Sequence, residues 1–197
     1  MMRRCGKWGV WALMALSGVA LSAHAAQVLD VRVMREGERF LIDMQIRIAA
    51  PAPAVFRALL DYPAMPRYNP DLRAVRVEPT ARPGRVRLFT TIHTCVLIFC
   101  KTMRQEQVMT ATTNARGGVL EATLVAQGGS FKGGRGRWTV EPCPADRSVT
   151  CMSARVELLP AFWVPPVIGP WVIRSKMAEE ARRTSAGLEL LARRAAE

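Results

Sequence analysis

Alternating apolar and polar residues run through most of the chain and predict a large β-sheet. The segment RFLIDMQIRI, residues 39–48, alternates in this way, with only Leu41 out of phase. Its apolar positions are Phe40, Ile42, Met44, Ile46 and Ile48. Such a two-residue period is typical of a half-buried strand. The preceding VLDVRVM joins it across Arg35, Glu36 and Gly37, which predicts a hairpin.

Two short helices and one long helix are predicted on either side of the remaining strands. The first begins at 52–54, after Pro51, and its apolar stripe ends near Tyr62. Prolines between 63 and 70 leave room only for a short helical turn around 64–68. In the C-terminal segment, apolar residues recur at i, i+4, i+8 and i+11 to the end of the chain. This spacing predicts a long amphipathic helix.

Later segments repeat the two-residue period and extend the sheet. They are RVRLFTTI, VLEATLVA, GRWTV and TCMSARVEL, and turn residues separate them. We expect about six strands between the short helices and the long one. One antiparallel sheet and one long helix give an α+β, two-layer domain. A curved sheet wrapped around such a helix leaves an apolar space between the two layers.

Two segments resemble the START-like, or SRPBCC, superfamily and its helix-grip fold. The segment IAAPAPAVFRALLDYPAMPRYNPDLRAVRVEP resembles the opening strand, the two short helices and the second strand. The segment IGPWVIRSKMAEEARRTSAGLELLARRA resembles the C-terminal helix. The resemblance, nearest to the polyketide-cyclase-like and coenzyme-Q-binding-like branches, runs from about Ile42 to the end. It implies a cavity for a hydrophobic ligand and identifies no catalytic residue, because no active-site motif can be placed position by position.

The cavity lining follows from the inward faces of the predicted elements. Several of these positions are methionines, which adapt to ligands of different shape. The candidate ligand-binding residues are Phe40, Ile42, Met44, Leu88, Leu124, Trp138, Met152, Val156 and Met177.

The N-terminus predicts export across the inner membrane to the periplasm. MMRRCGK is basic, an apolar run follows, and Ala23-His24-Ala25 is a small-x-small cleavage site. We therefore expect a signal peptide at 1–25, with retention as an N-terminal anchor as the alternative, and a single ligand-binding domain at 26–197. The chain has 28 basic and 16 acidic residues, and the segment 1–25 holds three of the basic ones, so 25 against 16 remain, a balance of +9. An exported protein rarely meets nucleic acid, so an anionic membrane surface is the expected charged partner.

Four cysteines follow the predicted cleavage site, which in an oxidising compartment favours disulfides. Cys95 and Cys100 flank one predicted hairpin loop, and Cys143 and Cys151 flank another. Residues facing each other across an antiparallel pair lie within disulfide distance. We therefore predict the pairs 95–100 and 143–151.

The first of these loops carries four apolar side chains, Val96, Leu97, Ile98 and Phe99. An apolar hairpin tip is typical of a membrane or partner contact. The alternative is a buried segment covered by the C-terminal helix or by the prolines of 160–166. Both interpretations remain open at this point.

No metal or other cofactor is predicted. The cysteines form no CxxC pairs, and His93 is the one histidine after residue 25. The sequence thus favours a non-enzymatic binding or carrier protein for a lipid, a sterol or hopanoid, or a quinone-like molecule. A polyketide cyclase or dehydratase on the same scaffold is the first alternative, although Thr90 is the clearest polar group predicted to face inward. A module that binds partners through its basic surface is the second.

Overall fold

The computed structural model describes residues 26–96, 99–125, 129–164 and 169–195. Its strands are β1 (Gln27–Glu36), β2 (Arg39–Ile48), β3 (Leu72–Pro79), β4 (Arg85–Val96), β5 (Phe99–Asn114), β6 (Gly117–Leu124), β7 (Phe131–Pro142) and β8 (Thr150–Pro160). Its helices are α1 (Ala52–Leu60), α2 (Met65–Tyr68) and α3 (Gly169–Arg194), with a 3-10 turn at Tyr62–Ala64. None of these described helices has the length and apolar character needed to span a membrane.

All eight strands form one antiparallel sheet in the order β1-β2-β8-β7-β6-β5-β4-β3. The short helices α1 and α2 follow the first two strands, and α3 packs across the concave face of the sheet. This arrangement is the helix-grip fold that the resemblance implied. The predicted signal peptide, residues 1–25, lies outside the described residues.

The β1–β2 hairpin shows how the sequence pattern sets the register. Phe40 and Ile42 point inward and are only 2% and 1% exposed, while Arg39 and Gln45 on the other face are exposed. The turn is tighter than predicted, because Glu36 pairs with Arg39 and only two residues connect them. The first of these, Gly37, has φ of 62°, a conformation that glycine adopts without steric strain.

Helix α1 closes one end of the molecule, which we call the closed end. Pro51 precedes the helix, and its buried face is Ala52, Ala54, Val55 and Phe56. Phe56 packs on the backbone of β6, since a Cβ on Gly118 would lie 2.4 Å from its ring. The helix ends at Leu60 instead of Tyr62, and residues 62–64 tighten into the 3-10 turn.

The packed core lies at the closed end. It joins α1 to the inner faces of the sheet and to the C-terminal half of α3. Leu88, Val140 and Leu188 within it are 0%, 1% and 0% exposed. The opposite end, where the β4–β5 hairpin, residues 160–164 and the first turn of α3 meet, we call the open end.

Candidate functional site

Helix α3 lies off the centre of the sheet. Its most extensive contacts are with β1, α1 and β2. Arg174 Nε donates to the carbonyl oxygen of Val31 at 2.9 Å, and Arg193 Nε donates to that of Ala49 at 3.1 Å. The helix is anchored to one side of the sheet. The inner faces of β4–β8 therefore face the region beside the helix.

Several inward apolar residues nearer the open end are less buried than their neighbours at the closed end, whereas Gly136 and Phe131 on β7 and Pro160 on β8 are buried. On β7, Val140 is 1% exposed, whereas Trp138, the next inward residue, is half-buried. On β8, Met152 is 4% exposed and Val156 is half-buried. The same change occurs between Leu120 and Leu124 on β6, Leu88 and Ile92 on β4, and Leu188 and Met177 on α3. We call the region beside α3 that Leu124, Trp138, Val156 and Met177 border the candidate hollow.

Glycines on β7 make room for the walls of this hollow. A Cβ on Gly136 would lie 2.4 Å from the Trp138 ring, so the indole lies across the glycine. A Cβ on Gly134 would lie 2.6 Å from a methyl group of Leu124. The large side chains on β6 and β7 can therefore lie flat on the sheet instead of crossing the space.

The predicted lining residues fall into distinct groups in the structure. Leu88 and Met152 belong to the packed core, and Met44 and Trp138 pack against it. Phe40 and Ile42 are buried beside β1. The half-buried residues that lie outside the core cluster are Leu124, Val156 and Met177. Ligand contact by each of them stays a prediction.

A separate cleft of about 230 Å³ lies at the open end. Its apolar lining comes from Phe40 and residues 160–164. Its polar lining is Arg35, Glu38 and Lys132, and Lys132 Nζ is 2.9 Å from a Glu38 carboxylate oxygen. The charges of Glu38 and Lys132 thus offset each other.

Both predicted disulfides are present. Cys95–Cys100 and Cys143–Cys151 have Cα separations of 4.0 Å and 4.9 Å. Cys95 and Cys100 are register partners in the β4–β5 ladder, so the crosslink ties directly opposed residues. His93 lies near this disulfide, with Nε2 3.8 Å from Cys95 Sγ. Disulfide sulfurs are not the thiolates that bind metal ions.

The predicted contact loop is shorter than the sequence indicated. Val96 and Phe99 still pair as strand residues, so only residues 97 and 98 connect the two strands. Leu97 and Ile98, and the side chains of Val96 and Phe99, lie outside the described residues. Their role as a membrane contact stays a prediction.

Two exposed tryptophans lie at the open end of the molecule. Lys101 Nζ is 3.8 Å from the centre of the Phe162 ring, which places the hairpin beside residues 160–164. Trp163 in that segment is 79% exposed, and Trp171 in the first turn of α3 is 72% exposed. The open end thus combines aromatic and basic side chains in contact with water.

An ionic cluster joins α3 to the beginning of β3, inside the open half of the molecule. Lys176 Nζ lies 3.1 Å from Asp71 Oδ2, 3.3 Å from Glu179 Oε2 and 3.8 Å from Glu180 Oε1. Thr94 Oγ1 donates to Asp71 Oδ2 at 3.0 Å. Both carboxyl oxygens of Glu180 are buried and accept no hydrogen bond from the described residues.

The pKa values of Asp71 and Glu180 in this cluster are shifted in opposite directions from their usual values. Burial raises the pKa of Glu180 to about 7, the Asp71 carboxylate adds to the rise, and Lys176 and Arg183 oppose it. Burial also acts to raise the pKa of Asp71, but its hydrogen bonds with Lys176, the neutral Glu180 carboxyl group and Thr94 bring it below the usual value. Near neutral pH Glu180 therefore exchanges a proton while Asp71 stays charged.

Sequence reasoning missed Glu180. It lies seven residues after Ile173 and three after Met177, so it shares their inward stripe on α3. A charged residue at an inward position of an amphipathic helix was the available signal. Its partner Asp71 could not be identified in this way, because their contact depends on tertiary packing.

The curved antiparallel sheet, the two short helices after its first two strands and the long C-terminal helix define a START-like protein. The sequence profile of the polyketide cyclase/dehydrase and lipid transport family matches residues 39–196, and the chain belongs to this family. No curated protein matched the chain closely enough in sequence to be counted as a relative.

Solved structures share the fold at low sequence identity. A STAR-related lipid transfer protein from Xanthomonas axonopodis is 17% identical, with a TM-score of 0.63 over 88% of this chain and 97% of that one. A Streptomyces aromatase/cyclase is 12% identical, with a TM-score of 0.63 over 81% and 96%. The lipid transfer and protein localization domain of human StarD13 is 13% identical, with a TM-score of 0.62 over 85% and 86%. The scaffold thus occurs both in lipid-transfer proteins and in cyclases.

Glu180→Gln should change how stability depends on pH. The pKa of Glu180 is raised to about 7 in the folded protein, above its ordinary 4.5. The neutral form therefore stabilises the fold fully below about pH 4.5, and this contribution is lost as the pH rises through about 7. We expect the wild type to lose about 1–2 kcal/mol of unfolding free energy relative to Glu180→Gln between about pH 5 and 8, allowing for solvent screening.

Urea denaturation at a series of pH values measures this difference. Glu141→Gln, at an exposed position on β7, is the matched control and should follow the wild type. A constant difference between Glu180→Gln and the wild type across the range would contradict the assignment.

Proposed function

We propose that this protein is an exported binding or carrier protein for a hydrophobic ligand, a lipid, a sterol or hopanoid, or a quinone-like molecule. The single observation that supports it best is the set of inward apolar side chains beside α3 that are only half-buried, Leu124, Trp138, Val156 and Met177. Inward apolar side chains that stay solvent-accessible are unfavourable unless something covers them. A ligand in the hollow would remove them from water.

The proposed location is the periplasm, after removal of residues 1–25. Two disulfides on hairpins of the mature region support it, because such crosslinks persist in oxidising compartments. Family membership supports the ligand class, since the family description includes lipid transport.

We further propose that the open end loads the ligand at an anionic membrane surface. Trp163 and Trp171 are exposed there, and aromatic side chains of this kind favour the membrane interface. The hairpin tip at 96–99 would add apolar contacts of up to about 1.5–3 kcal/mol for each side chain fully removed from water. Lys101 and Arg104 are exposed and would each add about 1 kcal/mol at an anionic surface.

A cyclase or dehydratase activity is the second candidate. Glu180 supports it, because a buried carboxyl group with a pKa of about 7 is suited to general acid–base chemistry. The carrier proposal accounts for more of the molecule, since the exposed tryptophans and the apolar hairpin tip have no role in that chemistry.

A larger side chain in the candidate hollow should weaken the binding of an apolar ligand without unfolding the protein. Met177→Trp adds an indole to the space beside α3, so N-phenyl-1-naphthylamine, a fluorescent apolar probe, should bind at least about tenfold more weakly, about 1.4 kcal/mol. Met34→Trp is the matched control, because Met34 is 51% exposed. The melting temperatures of both variants should stay within about 3 °C of the wild type. Unchanged probe affinity in Met177→Trp would place the binding site elsewhere.

Charging the hairpin tip should prevent membrane binding. Leu97→Asp combined with Ile98→Asp should lower sedimentation with phosphatidylglycerol vesicles at least about tenfold, because the aspartates oppose both insertion and attraction to anionic lipid. Leu190→Asp, at a position 52% exposed near the C-terminal end of α3, should bind vesicles like the wild type. A large loss of thermal stability in the double variant would show instead that the tip is buried.

A further inference from the structure

Three side chains that can bind a metal ion come together beside the tip of the β4–β5 hairpin. His93 and Cys95 are two residues apart on β4, so their side chains leave the same face of the strand. Cys100 on β5 is the register partner of Cys95, which places its side chain on that face as well. One ligand atom from each residue, a ring nitrogen and two sulfurs, lies within 4.8 Å of the others. Strand pairing, and not a CxxC turn, brings them together, which is why the cysteine spacing did not predict a metal site.

The group lies on the outer face of the sheet. Leu88 and Thr90 on β4 face inward and are 0% and 4% exposed. Because side chains alternate along a strand, His93 and Cys95 project from the opposite face. Cys95 and Cys100 are exposed, and His93 is half-buried. A site here is therefore separate from the candidate hollow and does not depend on the carrier proposal.

The imidazole of His93 is held in the orientation that a metal ligand needs. Its Nδ1 lies 2.9 Å from Thr102 Oγ1, so an Nδ1–H can donate to the hydroxyl oxygen. The lone pair of Nε2 then faces Cys95, with Nε2 3.8 Å from Sγ. The backbone N–H of His93 donates to the carbonyl oxygen of Asp71 at 2.7 Å, which fixes this part of the strand. Metal-bound histidines use their second ring nitrogen in the same way.

The crosslink between Cys95 and Cys100 blocks the site in the oxidised protein, because metal ions bind thiolates and not disulfide sulfurs. Exposed disulfides are the ones that thiol exchange opens most readily, and both of these cysteines are exposed. Cys143 of the other disulfide is only 2% exposed. A dithiol reductant should therefore open the Cys95–Cys100 crosslink first.

The hairpin holds the three ligands together after this crosslink is broken. Thr94 pairs with Lys101 before the two cysteines, and Val96 pairs with Phe99 beyond them. Bonds of about 2.0–2.1 Å to nitrogen and about 2.3 Å to sulfur place two ligand atoms of a tetrahedral zinc ion about 3.6 Å apart. The nitrogen of His93 and the sulfur of Cys95 already have nearly this separation. Rotation of the freed Cys100 side chain is enough to part the two sulfurs.

We propose that reduction of the Cys95–Cys100 disulfide creates a Zn²⁺ site formed by the two thiolates and Nε2 of His93. A dithiol breaks the sulfur–sulfur bond, supplies two electrons and two protons, and leaves as a disulfide. Zn²⁺ then displaces the two thiol protons, and the two thiolate charges balance the charge of the ion. Thiolate and imidazole ligands favour Zn²⁺ over Mg²⁺ or Ca²⁺, and three protein ligands leave one tetrahedral position for water.

Cobalt and zinc binding to the purified protein tests this proposal. The protein is reduced with dithiothreitol under nitrogen, freed of reductant by gel filtration and titrated with Co²⁺. The reduced wild type should develop the thiolate-to-cobalt charge-transfer band and tetrahedral d–d bands, and Zn²⁺, which binds more tightly and has a filled d shell, should abolish them. The oxidised protein should develop neither.

Alkylation locates the ligands. Peptide mapping after treatment with N-ethylmaleimide should show modification of Cys95 and Cys100, with Cys143 and Cys151 still crosslinked. Bound Zn²⁺ should protect Cys95 and Cys100 from the reagent. Cys95→Ser combined with Cys100→Ser should give no charge-transfer band after the same reduction.

Two further variants test the histidine and its orientation. Thr102→Val keeps the side-chain shape but removes the oxygen beside Nδ1, and it should weaken Zn²⁺ binding about tenfold in competition with a chromophoric chelator. His93→Ala removes a ligand and should weaken binding at least as much. Thr123→Val, at an exposed position on β6, is the matched control and should bind Zn²⁺ like the wild type.

The contrary outcomes are distinct. Absence of the charge-transfer band in the reduced wild type, or its persistence in the double serine variant, overturns the proposal. Equal Zn²⁺ affinity in His93→Ala and the wild type overturns the three-ligand site. The reduced protein should keep the far-ultraviolet circular dichroism spectrum of the oxidised protein, and unfolding on reduction overturns the proposal too, because the hairpin would no longer hold the ligands together.

Discussion

The position of α3 on the sheet determines the rest of this structure. The helix approaches α2 so closely that a Cβ on Gly187 would lie 2.0 Å from Cβ of Tyr68. Arg174 donates a hydrogen bond to the carbonyl oxygen of Val31 on edge strand β1, and Lys176 forms an ion pair with Asp71 on the other side of the helix. With its C-terminal half in the core and its N-terminal half beside β1, the helix leaves the inner faces of the middle strands open at one end. The candidate hollow lies on the part of the sheet that this off-centre position leaves uncovered.

The sequence predicted the elements of the fold better than the space between them. Alternation identified the strands because one face of each is buried, and opposed hairpin positions identified both disulfides. The predicted four-residue loop was wrong, because Val96 and Phe99 continue the ladder beyond the Cys95–Cys100 pair. The placement of α3 could not be predicted, because it depends on the packing of Gly187 against Tyr68, which is distant in the sequence. Leu88 and Met152 face inward as expected, but they fill the core at the closed end.

Both apolar and ionisable side chains face inward in the open half of the molecule. Leu124, Trp138 and Met177 offer apolar surface, and the Asp71–Lys176–Glu180 cluster offers a polar site whose charges are balanced. Burial and the hydrogen bond to Asp71 keep Glu180 largely neutral below about pH 7. A neutral carboxyl group that donates to the Asp71 carboxylate explains why an acidic residue on the inward stripe of α3 is compatible with the fold.

Native mass spectrometry of the protein, purified from a cell-envelope extract without detergent, tests the central claim most directly. The account predicts a complex of one protein with one hydrophobic, lipid-like molecule, and loss of that molecule when Met177 is replaced by tryptophan. A protein whose mass is that of the polypeptide alone, even after incubation with an envelope lipid extract, would contradict it.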